Sequence, residues 1–568
     1  MRPLCRSPLR ELKYGIEETA GSLTLAVNER HIIPMPELHF NNLDKTNAYR
    51  KLRDYQIGRD LKSLVTVDRV GSYDIAAANG LRFNFAAKQV DDRVLDILQQ
   101  LADEQQLIAK YRAILDGEPA NTGENRKVLH HLVRGQLGNP VNENGRDLRS
   151  FYQEQQNRVN KFAAKVHSGE IRGSTGRQFD TVVQVGIGGS DLGPRALYLA
   201  LQNYQSKDTA GNALRPRLRT FFISNVDPDD AAEVLSRVDP ETTLFILVSK
   251  SGTTLETLTN EAFVIEALEQ ARIPGMKAKK HIICVTSETS PLAKSGEYLD
   301  AFFIDDYIGG RYSATSVVGG AVMSLAYGKE SFTQLLEGAN GADAAALEPD
   351  IRRNASLLDA LIGVYERNIL GYPYTAVLPY SQALSRFPAH LQQLDMESNG
   401  KRVNRRGEPL AYSTGPVVFG EPGTNGQHSF YQLLHLGTDI VPLQFVGFAE
   451  SQIGRDVTYE GSTSQKKLNA NLAAQIVAFA LGKGDANPNK NFPGNRPSSV
   501  LYGTRLTPKT LGSLLAHFEN KVMFQGLAWN INSFDQEGVQ LGKVLTTKVL
   551  GGGDVDPVLA AFAKLMGV

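Results

Sequence analysis

The chain of 568 residues has only two cysteines and no excess of either charge. Cys5 and Cys284 are too few and too far apart in the sequence for a disulfide framework or a cysteine-based metal site. We therefore expect a reducing, cytoplasmic environment. The 61 Lys and Arg residues balance the 61 Asp and Glu residues, so no overall field favours nucleic acid or a membrane surface. A small anion bound at a local site is the better expectation.

Long apolar segments are also missing. The longest uncharged run, Thr315 to Gly328, is interrupted by two glycines and is shorter than the roughly 20 apolar residues that a membrane-spanning helix needs. We predict that it forms a buried helix. The stretch Met1 to Arg10 carries three arginines and is not followed by an apolar core of signal-peptide length. The sequence therefore predicts neither a secretion signal nor a membrane span.

From Asp180 onward, short apolar runs alternate with helical stretches. These runs are too apolar for half-exposed hairpins, so they indicate buried parallel strands joined by crossover helices. The sequence thus predicts an α/β protein with two doubly wound parallel-sheet units. The predicted strands are Thr181–Val185, Thr220–Ile223, Thr243–Val248 and His281–Val285 in the first unit, and Tyr374–Leu378, Val417–Phe419 and Val441–Val446 in the second.

The rest of the chain is predicted to be helical scaffold. We expect a helical N-terminal extension over residues 1–150 that packs on the second unit, α/β units over 151–330 and 331–545, and a helical tail over 546–568. The segment Asn121 to Leu132 opens with cap-forming residues and turns apolar, which predicts a helix start. His130 and His131 lie within it and are expected to be structural, because adjacent helical positions face different directions and no residue at i+4 completes a metal pair. The chain after Asn491 is also expected to become helical.

A glycine-rich turn, Gly186 to Gly193, follows the first predicted strand. Glycines there let backbone N–H groups approach an anion. The third glycine of a dinucleotide fingerprint is replaced by Asp191, whose charge would repel a pyrophosphate. A phosphate contact is therefore favoured over a dinucleotide cofactor.

The segment Ser249 to Glu256 places hydroxyl groups and backbone amides at a predicted helix start. Such a crossing from strand to helix suits one phosphoryl group, through hydroxyl donors and the positive end of the helix dipole. It lacks the glycine spacing of a nucleotide triphosphate loop. The alternative is an ordinary Ser/Thr N-cap without a ligand.

Glu397, in the stretch Gln392 to Lys401, is the candidate catalytic base. The amides and hydroxyls beside it, including Gln393, can hydrogen-bond a partly buried carboxylate. The alternative is an ordinary helix end with Gly400 as its stop signal.

Arg311 follows two glycines and has two possible roles. It can form a surface ion pair with the nearby Asp305 or Asp306. It can instead stabilise a developing oxyanion, because a guanidinium keeps its proton and does not compete for the one being transferred.

Three further residues are candidates for proton transfer or ligand contact. His428 ends a glycine-rich loop and titrates near neutral pH, so it can give and take protons. Gln536 and Lys543 are seven residues apart, which places them on one side of a predicted helix where both can reach one ligand.

Taken together, these segments resemble the glucose-6-phosphate isomerase family, also called phosphoglucose isomerases. The resemblance runs from about residue 121 to about residue 543. It is carried by Met-Glu-Ser-Asn-Gly-Lys around Glu397, Gly-Thr-Asn-Gly-Gln-His-Ser-Phe-Tyr-Gln around His428, and Trp-Asn-Ile-Asn-Ser-Phe-Asp-Gln ending at Gln536. Two departures occur: the phosphate loop reads Ser251-Gly252 where the family often has Thr-Phe, and Ala314-Thr315 stands where it often has Leu-Trp.

The resemblance implies a fold of two sugar isomerase (SIS-type) domains and an aldose–ketose isomerisation of a hexose 6-phosphate. It implies Glu397 as base, Arg311 near the reacting oxygens, His428 and Lys543 for ring opening, and Gln393 beside the sugar. The residues implied around the phosphate are Gly189, Ser190, Ser249, Lys250, Ser251, Thr254 and Gln536.

Such a reaction fits the residue types. One carboxylate can remove the C2 proton and return it at C1 through an enediolate, while a fixed cation stabilises the anion. The expected chemistry needs neither a cofactor nor a metal, and the only expected ligand is a sugar phosphate. The resemblance further implies a homodimer with a shared active site, in which His428 comes from the other chain.

Two other classes of protein would share part of this pattern. A non-catalytic sugar-phosphate sensor would keep the Ser249 to Thr254 loop, but it would have no use for Glu397, Arg311 and His428 together. A glutamine-dependent amidotransferase would need a nucleophilic cysteine at its processed N-terminus. Cys5 lies behind a proline and would not be exposed by removal of Met1. The sequence therefore favours an isomerase over both alternatives.

Overall fold

The computed structural model describes residues 37–55, 60–204, 206–207, 213–214, 217–552 and 555–568. The predictions that Met1 to Arg10 is not a secretion signal and that Cys5 is not a catalytic nucleophile concern residues outside this described part. No helix of the described part is both long and apolar enough to cross a membrane.

The α-helices are α1 Asn47–Asp54, α2 Leu61–Leu64, α3 Val67–Ser72, α4 Asp92–Glu104, α5 Leu107–Leu115, α6 Leu148–Ser168, α7 Leu192–Leu201, α8 Pro228–Leu235, α9 Leu255–Gln270, α10 Pro291–Lys294, α11 Val317–Tyr327, α12 Lys329–Ala345, α13 Ala355–Asn368, α14 Phe387–Gln392, α15 Tyr431–Leu436, α16 Ser464–Leu481, α17 Pro508–Ala528, α18 Gln540–Leu550 and α19 Pro557–Leu565.

The strands are β1 Asp74–Ala76, β2 Arg82–Asn84, β3 Asn142–Glu143, β4 Arg146–Asp147, β5 Thr181–Val185, β6 Ser206–Lys207, β7 Ala213–Leu214, β8 Arg219–Ile223, β9 Thr243–Val248, β10 Ile282–Thr286, β11 Asp300–Phe303, β12 Tyr374–Tyr380, β13 Val417–Phe419, β14 Leu443–Glu450, β15 Thr458–Tyr459, β16 Ser462–Thr463 and β17 Ser498–Arg505.

The first sheet consists of five parallel strands in the order β11-β10-β9-β5-β8. Every residue of β5, β9 and β10 is buried. Alternate residues of these strands enter two different hydrophobic clusters, as Leu244 and Phe245 do, because successive side chains of a strand point to opposite faces. Helices therefore cover both faces, as expected for a parallel sheet.

The second sheet has six strands in the order β1-β2-β17-β14-β12-β13. Its last four members are parallel, whereas β2 pairs antiparallel with β17 and β1 pairs antiparallel with β2. The short strands between residues 74 and 84 thus extend a sheet whose other strands come from the second half of the chain. Two sheets of mainly parallel strands flanked by helices confirm the predicted α/β class.

All seven predicted strands are confirmed, but four strands of the two large sheets and the six strands of the small two-stranded sheets were not predicted. β5, β9 and β13 have the predicted bounds, and the other predicted strands shift by a few residues. The chain after Asn491 was predicted to become helical. This prediction is wrong for residues 498–505, which form β17, a strand in the interior of the second sheet. Its apolar run, Val500 to Tyr502, is short and flanked by serines and a glycine, and pairing with both β14 and β2 buries it. The strands β1, β2 and β11 were also not predicted.

The helix predictions have a mixed outcome. The uncharged run forms α11, in which every residue is buried, so the buried-helix prediction is confirmed. The helix predicted from Asn121 is wrong: this segment forms turns, closed by backbone hydrogen bonds between Asn121 and Arg126. Its apolar residues, Val128, Leu129 and Leu132, are buried without helical periodicity because they join the main hydrophobic cluster from a loop.

Candidate active site

The loops predicted to contact an anion lie at one edge of the first sheet. β5 and β9 are adjacent and parallel, with Val185 opposite Leu247. The carboxyl ends of both strands therefore meet at the same edge, where open α/β sheets bind their ligands. The turn Gly188–Ser190 follows β5, and the segment Ser249 to Thr254 follows β9.

The glycine turn after β5 packs closely against the turn that carries Arg311. A Cβ atom at Gly189 would come within 2.2 Å of the backbone of Gly310, so no larger residue fits without movement of the backbone. Gly188 has a φ of +62°, and a Cβ atom added there would lie 3.4 Å from the Nε2 atom of Gln393. The turn thus joins the edge of the first sheet to the segment that contains Glu397.

The Ser249 to Thr254 loop is held by its own hydroxyl groups. The Ser249 and Thr254 hydroxyls lie 3.0 Å apart, and the backbone N–H of Gly252 donates to the Ser249 hydroxyl at 3.1 Å. α9 begins directly after Thr254, whose side chain makes no capping bond to that helix. The positive end of α9 therefore points its first N–H groups at this loop. Lys250 pairs with Asp306 at 3.7 Å.

Glu397 lies on a π-helical turn, Gln393–Glu397, that continues α14. Such turns are rare and often occur at functional sites. The Glu397 side chain is 24% exposed. Its Oε2 accepts a hydrogen bond from Gln393 Nε2 at 2.9 Å, and its Oε1 lies 3.0 Å from Arg311 Nη1. The carboxylate is therefore fixed from both sides and still reaches the solvent.

Arg311 is fully buried, with a side-chain exposure of 0%. The predicted alternative of a surface ion pair with Asp305 or Asp306 is wrong, because its carboxylate partner is Glu397. The guanidinium donates to the Ser398 hydroxyl at 2.7 Å, to Glu397 at 3.0 Å, to Gln536 Oε1 at 3.2 Å, and to the backbone carbonyls of Ser533 and Asp535 at 2.6 and 3.0 Å. Its position is thus determined by five separate groups.

The prediction that Gln536 and Lys543 share one side of a helix is wrong. α18 begins only at Gln540, and Gln536 lies before it with an extended φ of −147°. The loop that ends at Gln536 crosses the Arg311 guanidinium, whose buried N–H groups need acceptors from that loop. Gln536 consequently lies beside Arg311 and Glu397, whereas Lys543 is exposed.

A cleft of roughly 970 Å³ opens over Glu397. Besides Glu397, Gln393 and Gln536, four basic residues that the sequence reasoning missed line it: Arg386, Lys401, Arg405 and Arg406. Lys401 pairs with Asp535 at 2.5 Å. Three of the four lie within six positions after Gly400, and this concentration of positive charge in the sequence could have identified them as part of an anion site. The cleft therefore combines the partly exposed Glu397 carboxylate with a group of basic residues suited to an anion.

Within the part of the chain that the structure describes, three of the predicted site residues line this cleft: Glu397, Gln393 and Gln536. Arg311 is buried against Glu397, and the residues predicted to contact the phosphate lie in the loops that follow β5 and β9. His428 is exposed on the turn Asn425–His428, between β13 and α15. Lys543 is exposed on α18, a helix with no buried residue. The structure thus brings Glu397, Arg311, Gln393 and Gln536 together and leaves His428 and Lys543 apart from them.

Neutral aromatic side chains support the Arg311 turn. The Tyr312 hydroxyl lies 3.0 Å from the Ser398 hydroxyl that Arg311 contacts, and burial raises the pKa of Tyr312 to about 12. The His130 ring stacks on Tyr312 with 4.6 Å between ring centroids. Burial, together with the positive charge of Arg134, lowers the pKa of His130 well below its usual value. His130 is therefore a neutral packing group, as the sequence predicted.

No cluster of three or more His, Cys, Asp or Glu side chains that could hold a metal occurs among the described residues.

Comparison with known proteins gives one consistent result. The family model described as Phosphoglucose isomerase matches residues 84–562. The glucose-6-phosphate isomerase of Treponema denticola is 57% identical over 537 residues, which cover 93% of this chain and 100% of the relative. That of Treponema pallidum is 59% identical over 536 residues, or 93% and 98% of the two chains. The crystal structure of a glucose-6-phosphate isomerase from Chlamydia trachomatis superimposes with a TM-score of 0.85 at 42% identity, covering 93% of this chain and 99% of that chain.

Proposed function

The chain belongs to the phosphoglucose isomerase family, and we propose that its cleft interconverts glucose 6-phosphate and fructose 6-phosphate, an aldose–ketose isomerisation in glycolysis and gluconeogenesis. One observation carries the assignment of the site: the partly exposed carboxylate of Glu397 lies 3.0 Å from the fully buried guanidinium of Arg311. This pairing places a proton acceptor beside a permanent positive charge, as isomerisation through an enediolate requires.

In the proposed reaction, Glu397 removes the proton from C2 of the open-chain sugar and returns it to C1. The negative charge that develops on the substrate oxygen is stabilised by Arg311 Nη1, the nitrogen nearest Glu397. The other guanidinium nitrogens are held by Ser398 and two backbone carbonyls, so Arg311 keeps its position while the hydrogen bond of an Nη1 N–H that donates to Glu397 or Gln536 is redirected to the substrate oxygen. Gln393 holds the second carboxylate oxygen and contacts the sugar.

The phosphate is proposed to bind at the carboxyl edge of the first sheet. The positive end of α9 and the hydroxyls of its preceding loop provide donors for the phosphate oxygens. Gln536 accepts from Arg311 through Oε1, so its amide nitrogen is the part of that side chain that donates to the substrate. The residues proposed for this contact are Gly189, Ser190, Ser249, Lys250, Ser251, Thr254 and Gln536.

Ring opening is assigned to His428 and Lys543. Neither lines the described cleft of its own chain, so we propose a homodimer in which His428 of the partner subunit completes the site. Lys543 lies on α18, which begins just after Val539 at the edge of the cleft. Closure of α18 over the substrate would bring this amine to the sugar ring.

The cellular location and the division into domains are also proposals. We place the enzyme in the cytoplasm, where the single described cysteine, Cys284, would remain a free buried thiol. The pairing of β2 with β17 supports an N-terminal extension, residues 1–150, that packs on the second unit. The proposed units remain residues 151–330 and 331–545, with a tail over 546–568.

The test of the reaction is Glu397→Gln in a coupled assay with both hexose phosphates. The amide keeps the shape of the side chain but cannot accept the C2 proton, so we expect turnover to fall by about 10²- to 10⁴-fold. Binding of a hexitol 6-phosphate, which cannot isomerise, should be largely retained. Glu537→Gln is the matched control, because this carboxylate lines the same cleft without contacting Arg311. Retention of more than about a hundredth of wild-type turnover in Glu397→Gln would point to another base.

The shared site is tested by mixing Glu397→Gln and His428→Gln proteins, each inactive alone, through unfolding and refolding. In a mixed dimer one site receives both substitutions and the other receives neither. Random pairing makes about half of the dimers mixed, so about a quarter of all sites should be wild type. If mixed dimers form and activity stays at background, His428 acts within its own chain.

A further inference from the structure

The inward side of the Glu397 turn carries a second carboxyl group, Asp395. Residues that are two positions apart in a helix point in directions that differ by roughly 160° around its axis, whether the turn is α- or π-helical. Glu397 therefore faces the cleft while Asp395 faces the protein interior, where it is buried. No role in the proposed reaction has been given to this group, although it belongs to the same five-residue turn as the base.

A small cavity of roughly 30 Å³ lies beneath Asp395, between the turn, β14 and α17. It is enclosed by charged and amide side chains as well as apolar ones. One water needs about 10–15 Å³ of this kind of space and two to four polar partners. The cavity is therefore large and polar enough for one or two waters. Its polar lining includes Asp395, Glu366, Lys88, Lys521, Gln444 and Gln525.

Two oxygen atoms of this lining lack hydrogen-bond partners among the described residues: Oδ1 of Asp395 and Oε1 of Gln525. A buried acceptor left without a donor costs about 1–3 kcal/mol, so native proteins usually supply one. Because Asp395 and Gln525 both line this one cavity, water inside it is the candidate donor to the two atoms. Two independent observations, the polar space and the two acceptors, thus point to the same ligand.

Lys521, whose charge acts on Asp395, is already paired with other groups. Lys521 Nζ lies 3.1 Å from Asp359 Oδ1 and donates to Gln444 Oε1 at 2.8 Å. His517 also contacts Asp359, at 3.1 Å. Burial raises the pKa of Asp395 to about 6, although the Lys521 charge and a hydrogen bond from Asn399 oppose this shift. Lys521 is therefore paired without Asp395, and the role of this carboxyl group beneath the base has to be sought in its own contacts.

We propose that Asp395 is a positioning residue for Glu397, anchored through one or two ordered waters in this cavity. The inference rests on the proposed function, since it concerns the base of that reaction. The anchor holds the inner side of the π-helical turn, and the turn presents the Glu397 carboxylate to Arg311 and the substrate. Catalytic groups need placement within about 0.5 Å, and a misplacement of about 1 Å can cost 10²-fold in rate.

The test compares Asp395→Leu, which has a similar shape but cannot bind water, with Asp395→Asn, which keeps the hydrogen-bonding atoms. Gln444→Leu is the control, because Gln444 lines the same cavity from β14 and does not belong to the turn. For each protein we would measure kcat, KM, binding of hexitol 6-phosphate and the melting temperature. We would also measure the fraction of deuterium at C2 that reaches C1 instead of exchanging with water, a ratio that does not depend on how much enzyme is folded.

The expected result for Asp395→Leu is a kcat at least about tenfold lower, with KM and hexitol phosphate binding within about twofold and less deuterium transferred. Asp395→Asn and Gln444→Leu should keep kcat within about threefold and the wild-type deuterium ratio. Folded Asp395→Leu with wild-type kcat and deuterium ratio would overturn the inference, as would parallel losses in Asp395→Leu and Gln444→Leu.

Two further results keep the outcomes distinct. If Asp395→Leu does not fold, a high-resolution crystal structure of the wild-type protein decides, because a cavity without ordered water at Asp395 Oδ1 overturns the proposal. Wild-type activity is measured in the same assay. An inactive wild-type protein refutes the proposed function, whereas an active wild-type protein with an equally active Asp395→Leu variant refutes only the positioning role.

Discussion

Replacing Arg311 by lysine tests whether a fixed guanidinium, and not merely a positive charge, is required at the site. The buried guanidinium donates to five groups, whereas an ammonium has three N–H donors in a more compact arrangement. At least two acceptors would therefore lose their donors. Each such loss costs about 1–3 kcal/mol, so the substitution should destabilise the fold by about 2–6 kcal/mol.

The size of the melting shift follows from the length of the chain. An unfolding entropy of about 2.1 cal/mol/K per residue gives about 1.2 kcal/mol/K for 568 residues that unfold together. The melting temperature should then fall by about 2–5 °C. Turnover should fall further, by about 10²- to 10³-fold, because the ammonium cannot contact Glu397 and the developing oxyanion from the same fixed position.

The assay follows thermal unfolding by circular dichroism and isomerisation by the coupled reaction. Arg237→Lys is the control, because Arg237 forms an exposed ion pair with Glu233 on the protein surface and should tolerate the exchange. If Arg311→Lys melts within about 1 °C of wild type and keeps turnover within about threefold, then the hydrogen bonds of the guanidinium are not what organises this site.

Two other predictions concern the phosphate loop and the pH dependence of stability. Replacing Ser251 and Thr254 together by alanine should weaken hexitol 6-phosphate much more than unphosphorylated hexitol, since each bond to a charged oxygen is worth about 1.5–3 kcal/mol; equal losses would refute the loop assignment. Burial lowers the pKa of His390 to about 4. Below pH 6.5 the unfolded chain therefore binds a proton that the folded protein does not. The free energy of unfolding should fall by up to about 3 kcal/mol as the pH falls from about 6.5 to 4. His390→Phe should flatten the urea-unfolding profile over this range, and an unchanged slope would contradict the reasoning.

Local sequence patterns were sufficient to predict those helices and strands whose residues are mainly apolar and therefore buried. β5 and β9 are mainly apolar runs of a kind that parallel sheets bury, and α11 has no charged residue. Their identities and most of their bounds were therefore predictable. Motif spacing was likewise sufficient to nominate Glu397, Arg311 and the loop before α9, because residue type limits the chemistry that each can perform.

Tertiary structure alone decided the elements and contacts whose partners lie far away in the sequence. β17 is a strand because β14 and β2 pair with it on either side, although its own apolar run is short. The Arg311–Glu397 pair joins residues 86 positions apart, and the sequence placed Asp305 and Asp306 nearer to Arg311. A buried guanidinium must satisfy all of its donors, and only the folded chain brings the required acceptors to it.

The same reason explains the error at Gln536. Helical spacing suggested that Gln536 and Lys543 face one ligand, but the loop before α18 stays extended because its carbonyls accept the N–H groups of Arg311. Composition and motif therefore determined the fold class and the family of this protein, and they nominated the side chains that we propose to react. The orientation of the base, the cation that pairs with it and the polar cavity beneath it depend on long-range contacts, so they were determined only when the chain folded.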